Sequence, residues 1–185
     1  MRHQATVPVL LVFCCLFGAA VSASAQDPQD AADPWEPFRL LEGTWEAAID
    51  GRLGQGTGRR HYELLFDGRY LVSKHDSIRL PQEKSPEGDH HKELAVYSFD
   101  RERKIIVLRE FMNEGYVLQY ACRSQPRRFT CTAESIESGP GMQARLTVEI
   151  QDRFRFTEVF ELASPGQELQ VYFTNRWTRI PDRPE

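Results

Sequence analysis

Three polar side chains interrupt apolar stretches in the second half of the chain, and their types define the chemistry on offer. Alternate residues share one face of a strand. On that basis Phe154, Phe156, Phe160 and Leu162 form a greasy face with the carboxylate Glu158 in its midst. Arg109 breaks the run Ile105, Val107, Phe111 in the same way, and Tyr172 stands within Leu169-Gln170-Val171-Tyr172-Phe173. A charge on an apolar face is the residue that needs explaining. Facing one cavity, these groups would set the polar contact of a largely apolar ligand, so Arg109, Glu158 and Tyr172 are the candidate ligand-binding residues. The competing reading puts Arg109 and Glu158 on the outer face or pairs them as a structural ion pair. On the last strand Leu169, Val171, Phe173 and Trp177 alternate with Tyr172 and Arg176, and both sets cannot line one cavity.

Catalytic machinery has no motif support. The chain contains no G-x-S-x-G, no H-E-x-x-H and no phosphate-binding glycine loop. The glycine-rich stretch Gly51 to Gly58 joins two strand-like runs, reads as a flexible hairpin or portal loop, and lacks the helix dipole that holds phosphate. His90 and His91, beside Asp89, fall in the longest loop, Pro81 to Lys92. Adjacent imidazoles there lack the spacing that aims both at one ion, so no metal site is expected. An isomerase or hydrolase using His61, Glu63 or Glu158 inside a cavity is the alternative from a different class.

The elements that must position these groups are almost all strands. Runs rich in Val, Ile, Phe, Tyr and Thr fall near 44–51, 58–67, 69–79, 92–100, 104–112, 115–123, 128–137, 142–151, 153–163 and 168–180. Asp67-Gly68, Asn113-Glu114-Gly115, Gln151-Asp152 and Ser164-Pro165-Gly166-Gln167 have hairpin chemistry. Consecutive strands joined by short turns make an antiparallel meander. Closing it removes two exposed edges and leaves an interior for a small molecule, which predicts an all-β, ten-stranded antiparallel up-and-down β-barrel. Asp33 and Pro34 open a short N-terminal helix in which Trp35, Phe38 and Leu41 share a face. A third reading, an envelope interaction module, would have the barrel filled with side chains and no cavity.

Residues 1–25 have the form of a secretory signal peptide: Arg2, an apolar run from Val7 to Val21, then Ser22-Ala23-Ser24-Ala25. A Pro-interrupted linker follows at 26–34, then the barrel at 35–180 and a tail at 181–185. The mature protein is expected to be secreted or periplasmic and monomeric, and no further stretch is apolar enough to span a bilayer as a helix. Removing the leader leaves Cys122 and Cys131, which an oxidising compartment would join as a disulfide across a hairpin. With 23 Lys+Arg against 27 Asp+Glu the chain lacks the positive footprint of a nucleic-acid binder.

Gly43-Thr44-Trp45 opens the first strand after the helical turn, and Arg176-Trp177-Thr178-Arg179 closes the last. This resembles the calycin superfamily of lipocalin and fatty-acid-binding-protein barrels. The resemblance implies that Gly43, Trp45 and Arg179 close one end, the guanidinium lying over the indole. The order of G-T-W, Phe66-Asp67-Gly68-Arg69-Tyr70-Leu71, Tyr97-Ser98-Phe99-Asp100 and the terminal Thr-Arg is also similar to uncharacterised secreted bacterial barrels and nitrobindin-like haem-binding barrels. It implies a binding barrel for a small, largely hydrophobic ligand, lipid-like or haem. Nitrobindin-like barrels carry a haem-ligating histidine on the last strand, where this chain has Tyr172. Tyrosinate can ligate ferric haem, and a pocket hydroxyl or a packing ring are the other roles open to it. No cofactor follows from the residues themselves.

Overall fold

The computed structural model describes residues 33–181. The expected leader 1–25, nearly all of the linker and nearly all of the tail lie outside those residues. A short helix, α1 (Glu36–Arg39), precedes ten strands: β1 (Gly43–Gly51), β2 (Gly54–Leu65), β3 (Tyr70–Arg79), β4 (Asp89–Asp100), β5 (Ile105–Met112), β6 (Val117–Gln125), β7 (Arg128–Glu137), β8 (Gln143–Asp152), β9 (Arg155–Ala163) and β10 (Gln170–Ile180). Each strand pairs antiparallel with the next, and β10 pairs with β1 to close the barrel. The expected architecture is the one observed. No helix among the described residues is long and apolar enough to cross a membrane.

One end is plugged by aromatic side chains. Phe38 of α1 stacks on Phe129 with centroids 4.3 Å apart, and Trp45, Phe156 and Trp177 pack beside them. The Arg179 guanidinium lies 4.3 Å over the Trp45 ring and donates to the Leu40 carbonyl at 2.7 Å and the Arg153 carbonyl at 2.7 Å. A further hydrogen bond runs from Arg179 to the Glu42 carbonyl. It therefore ties α1 and the β8–β9 turn to the end of β10. Gly43 has φ +113°, and a Cβ there would run into the same guanidinium. Both facts explain why a glycine precedes this tryptophan by two positions.

Two local expectations are corrected. Gly51 to Gly58 is a hairpin and not a portal loop: it is the end of β1, a turn at Arg52 and Leu53, and the start of β2, which begins at Gly54 and not at 58. At Gly58 a Cβ would press on Ile49 at 2.9 Å and on Trp177 at 3.3 Å, so glycine is what lets β2 cross the packed interior there. The β8–β9 turn falls at Arg153 and Phe154 and not at Gln151-Asp152, which leaves Phe154 half exposed instead of inward. Cys122 and Cys131 are directly opposed on β6 and β7, are joined by a disulfide, and lie in the core.

Candidate ligand cavity

The other half of the barrel is not filled. A cavity of about 390 Å³ lies between mid-barrel and the turns opposite the aromatic plug. Its lining divides by strand. From β7 to β10 and from β1 come the apolar Ile136, Leu146, Phe160, Leu162, Phe173 and Ile49, with Glu158, Tyr172 and Asn175 as the polar members of that side. From β2 to β5 come Arg60, His75, His91, Glu93 and Glu110, all ionisable. A mainly apolar wall thus faces a mainly ionisable one.

The polar wall is built by register. Arg60 stands opposite His75 across β2 and β3, His75 stands opposite Glu93 across β3 and β4, and Glu110 stands opposite Ala95, one inward position from Glu93. Arg60 is 5% exposed and Glu158 on β9 is 1% exposed, and the two form an ion pair at 2.6 Å. The same guanidinium donates to the Tyr62 hydroxyl at 3.1 Å and to His75 Nδ1 at 3.0 Å, and lies 4.8 Å from the Trp177 ring centroid. Glu158 also accepts from Asn175 at 3.2 Å and from the Trp177 indole at 3.0 Å. A buried charge needs this degree of matching to be tolerated.

The surrounding groups titrate away from their ordinary values. Burial, reinforced by the charge of Arg60, pulls His75 from 6.5 down to about 3. It is therefore neutral, and since Nδ1 accepts from Arg60, Nε2 carries the proton. Burial opposes the charge on His91 too, but hydrogen bonds to Glu93 and Glu114 outweigh it and lift that ring to about 9. Glu93 is disfavoured as an anion by burial, yet Arg60 and His91 bring it to about 2. Glu110, buried and beside Glu93, is pushed well above the usual carboxylate range, which favours its protonated form.

Of the three expected ligand residues, the structure brings Glu158 and Tyr172 to the cavity and turns Arg109 away. Arg109 is exposed on the outer face of β5, where it donates to Ser98 Oγ at 3.2 Å. Its inward neighbour is Glu110, so the inward face of β5 is Ile106, Leu108, Glu110 and Met112 and not the odd set. The conflict on β10 resolves through a bulge between Val171 and Phe173, which lets Tyr172 and Phe173 both line the cavity while Asn175 and Trp177 continue the inward face. His61 and Glu63 face outward, His61 bonding Thr44 at 2.9 Å, so neither serves a cavity-based reaction. His90 and His91 begin β4 and diverge, His90 to Asp76 at 2.9 Å and His91 to Glu114 at 2.8 Å. Among the described residues no group of three or more His, Cys, Asp or Glu side chains is placed to hold a metal ion.

The donor set does not fit haem. Tyr172 packs its ring edge-on to Phe160, with no cationic side chain hydrogen-bonded to its hydroxyl to support a tyrosinate ligand. Neutral His75 has its free nitrogen protonated and so offers no lone pair to iron. The polar row Arg60, His75, Glu93 and Glu110 escapes a reading that looks for inward faces as greasy ones. The usable signal was strand parity counted from Trp45, since alternation makes every second residue of each paired strand share its side of the wall.

No family model matches the chain, and no curated protein matches it in sequence. In three dimensions it is similar to Rv2717c from M. tuberculosis, at 13% identity and TM-score 0.57, over 82% of this chain and 100% of that one. It is likewise similar to a protein described as the REP1-NXSQ fatty acid transporter, at 11% identity and TM-score 0.50, over 78% of this chain and 99% of that one. At these identities the likeness concerns the barrel fold alone.

Proposed function

We propose that this protein is an exported, calycin-type carrier that holds one small, largely hydrophobic molecule inside its barrel and performs no chemistry on it. The observation that carries the reading is the cavity of about 390 Å³ with an apolar wall formed by Leu146, Phe160, Leu162 and Phe173. That size lies within the range of small-ligand pockets, and an apolar wall with a few convergent polar groups is their usual composition. A barrel of similar architecture is described as a fatty acid transporter, which supports the use of the fold as a container. The disulfide supports an oxidising compartment and hence export. A side-chain-filled interaction module is disfavoured by the same cavity.

Native mass spectrometry of the protein purified from its oxidising compartment, with an absorption spectrum on the same sample, tests the reading. The expected result is a lipid-sized adduct that leaves on denaturation, without a Soret band. An adduct-free protein that also takes up no hydrophobic probe would overturn it. A Soret band would instead restore haem and make Tyr172 the first residue to replace.

A further inference from the structure

The charge balance of the cavity narrows the class of molecule, on the premise that the cavity is a ligand site. A carboxylate ligand wants a cation with charge to spare, and neither cavity arginine has net charge to offer. Arg60 is matched by Glu158 at 2.6 Å, with its remaining contacts to His75, Tyr62 and Trp177. Arg79 is matched in charge by Asp89 at 2.8 Å, and its buried Nε, which has no acceptor, leaves it one N–H to give but no net charge. On the acidic side the count runs the other way. Protonated His91 serves both Glu114 at 2.8 Å and Glu93 at 3.8 Å, so one carboxylate of that trio is in excess. Glu110 is 6% exposed, lines the same wall and has no ion pair.

A second observation, from the β10 side of the cavity, asks for a donor group on the ligand. Asn175 is 2% exposed and lines the cavity. Its amide nitrogen donates to Glu158, an acceptor only, which fixes the amide orientation. Its oxygen is left buried without a donor. A buried acceptor in that position asks for an N–H or O–H from whatever occupies the cavity.

We propose that the cavity takes a cationic amphiphile, an amine whose ammonium group sits on the wall formed by Glu93, Glu110 and Glu114 and whose hydrocarbon lies against Leu146, Phe160 and Leu162. A proton balance follows. Burial favours the protonated form of Glu110 while the cavity lacks a cation, and an ammonium beside it favours the carboxylate, so the acid proton passes to the buffer as the amine binds. The other groups facing Glu110 keep their states near neutral pH. His75 is neutral, and the Tyr97 and Tyr120 hydroxyls are held neutral by burial, Tyr120 also by Glu110. His91 remains protonated and Arg60 remains a cation paired with Glu158.

Decylamine, decanol and decanoate differ in headgroup alone, and calorimetric titration of each into the intact protein in two buffers of different ionisation enthalpy reads both affinity and proton transfer. Decylamine should bind at least about tenfold more tightly than decanoate, with release approaching one proton per amine. Glu110→Gln, which mimics the protonated acid in shape, should abolish the release and weaken decylamine by about tenfold, a larger loss than for decanol. Tighter or equal binding of decanoate overturns the headgroup assignment while leaving the carrier reading intact. Amine binding without proton release, and indifferent to Glu110→Gln, overturns it as well. Failure of all three to bind overturns the assignment and the carrier reading together.

Discussion

Two histidines on neighbouring strands face the same cavity and are driven to opposite ionisation states by what stands next to them. His75 accepts from Arg60 and is held neutral, with its pKa lowered to about 3, first by burial and then by that cation. The unfolded chain protonates the same ring near 6.5, so the unfolded state gains protons that the folded state refuses as pH falls from 6.5 towards 3, and stability declines over that window. Glu93 adds to the acid limb: with its folded pKa near 2 against 4.5, its contribution is present above 4.5 and is lost as pH falls through 2. His91 acts in the other direction. Its folded pKa near 9 makes its contribution complete below 6.5, and that contribution drains away as pH rises through 9. Glu110, raised by burial, loses its contribution as pH rises from 4.5 and so offsets His75 over 4.5 to 6.5. The melting temperature should therefore rise with pH to a plateau between about 4.5 and 6.5 and fall above it. His91→Gln should flatten the alkaline limb and leave the acid limb in place. A wild-type curve that keeps rising above pH 6.5 would contradict the His91 assignment. Glu158 was legible in the sequence because a carboxylate among Phe154, Phe156, Phe160 and Leu162 stands out, while its partner, Arg60, was not. His75 and Glu93 were not legible, because they sit among Ser73, Ser77, His91 and Ala95, where no greasy background marks them as inward.

Strands and turns carry the difference between those two cases. Hairpin chemistry at Asp67-Gly68 and at 113–115 located the turns after β2 and β5, and ten strands with a closing pair were predictable from their number and spacing. Facing was harder. Phe111 and Val107 made the odd face of β5 the greasier one, yet Phe111 is 43% exposed and the even face with Glu110 looks inward. In β10 a single bulge places two consecutive residues, Tyr172 and Phe173, against the cavity, an outcome that strict alternation forbids. The cysteine pair was the most secure reading at this scale, since two cysteines flanking a short polar turn can meet only across a hairpin. Cys122 and Cys131 are paired in register between β6 and β7 and close a loop with a sequence separation of 9. For a loop of that size the chain-entropy argument gives roughly 2 to 3 kcal/mol. Cys122→Ala with Cys131→Ala should lower the urea unfolding free energy by about that amount, with the m-value little changed because the same surface is exposed. Reducing agent should bring the wild type down to the double variant, and a loss below about 0.5 kcal/mol would show that the bridge does not constrain the unfolded chain.

At the scale of the whole barrel, the two ends have different work. The plugged end gathers Phe38, Trp45, Phe129, Phe156 and Trp177 into one aromatic block, fastened by Arg179 to the carbonyls of Leu40 and Arg153. The other end leaves about 390 Å³ unfilled between an apolar and an ionisable wall. An unfilled apolar surface forgoes dispersion contacts and costs stability, so a protein retains such a space where something else requires it. Filling it should then separate stability from binding. Leu162 lies near the end of β9, half-buried, with its side chain on the apolar wall, so an indole there can extend into the cavity without displacing the plug. Leu162→Trp should keep or raise the melting temperature and weaken decyl-chain binding by at least about tenfold, because the added ring occupies the volume the chain needs. A variant that binds as well as wild type would mean that ligands do not enter between these walls. A variant that melts several degrees lower would mean that the space is already closed by its own side chains.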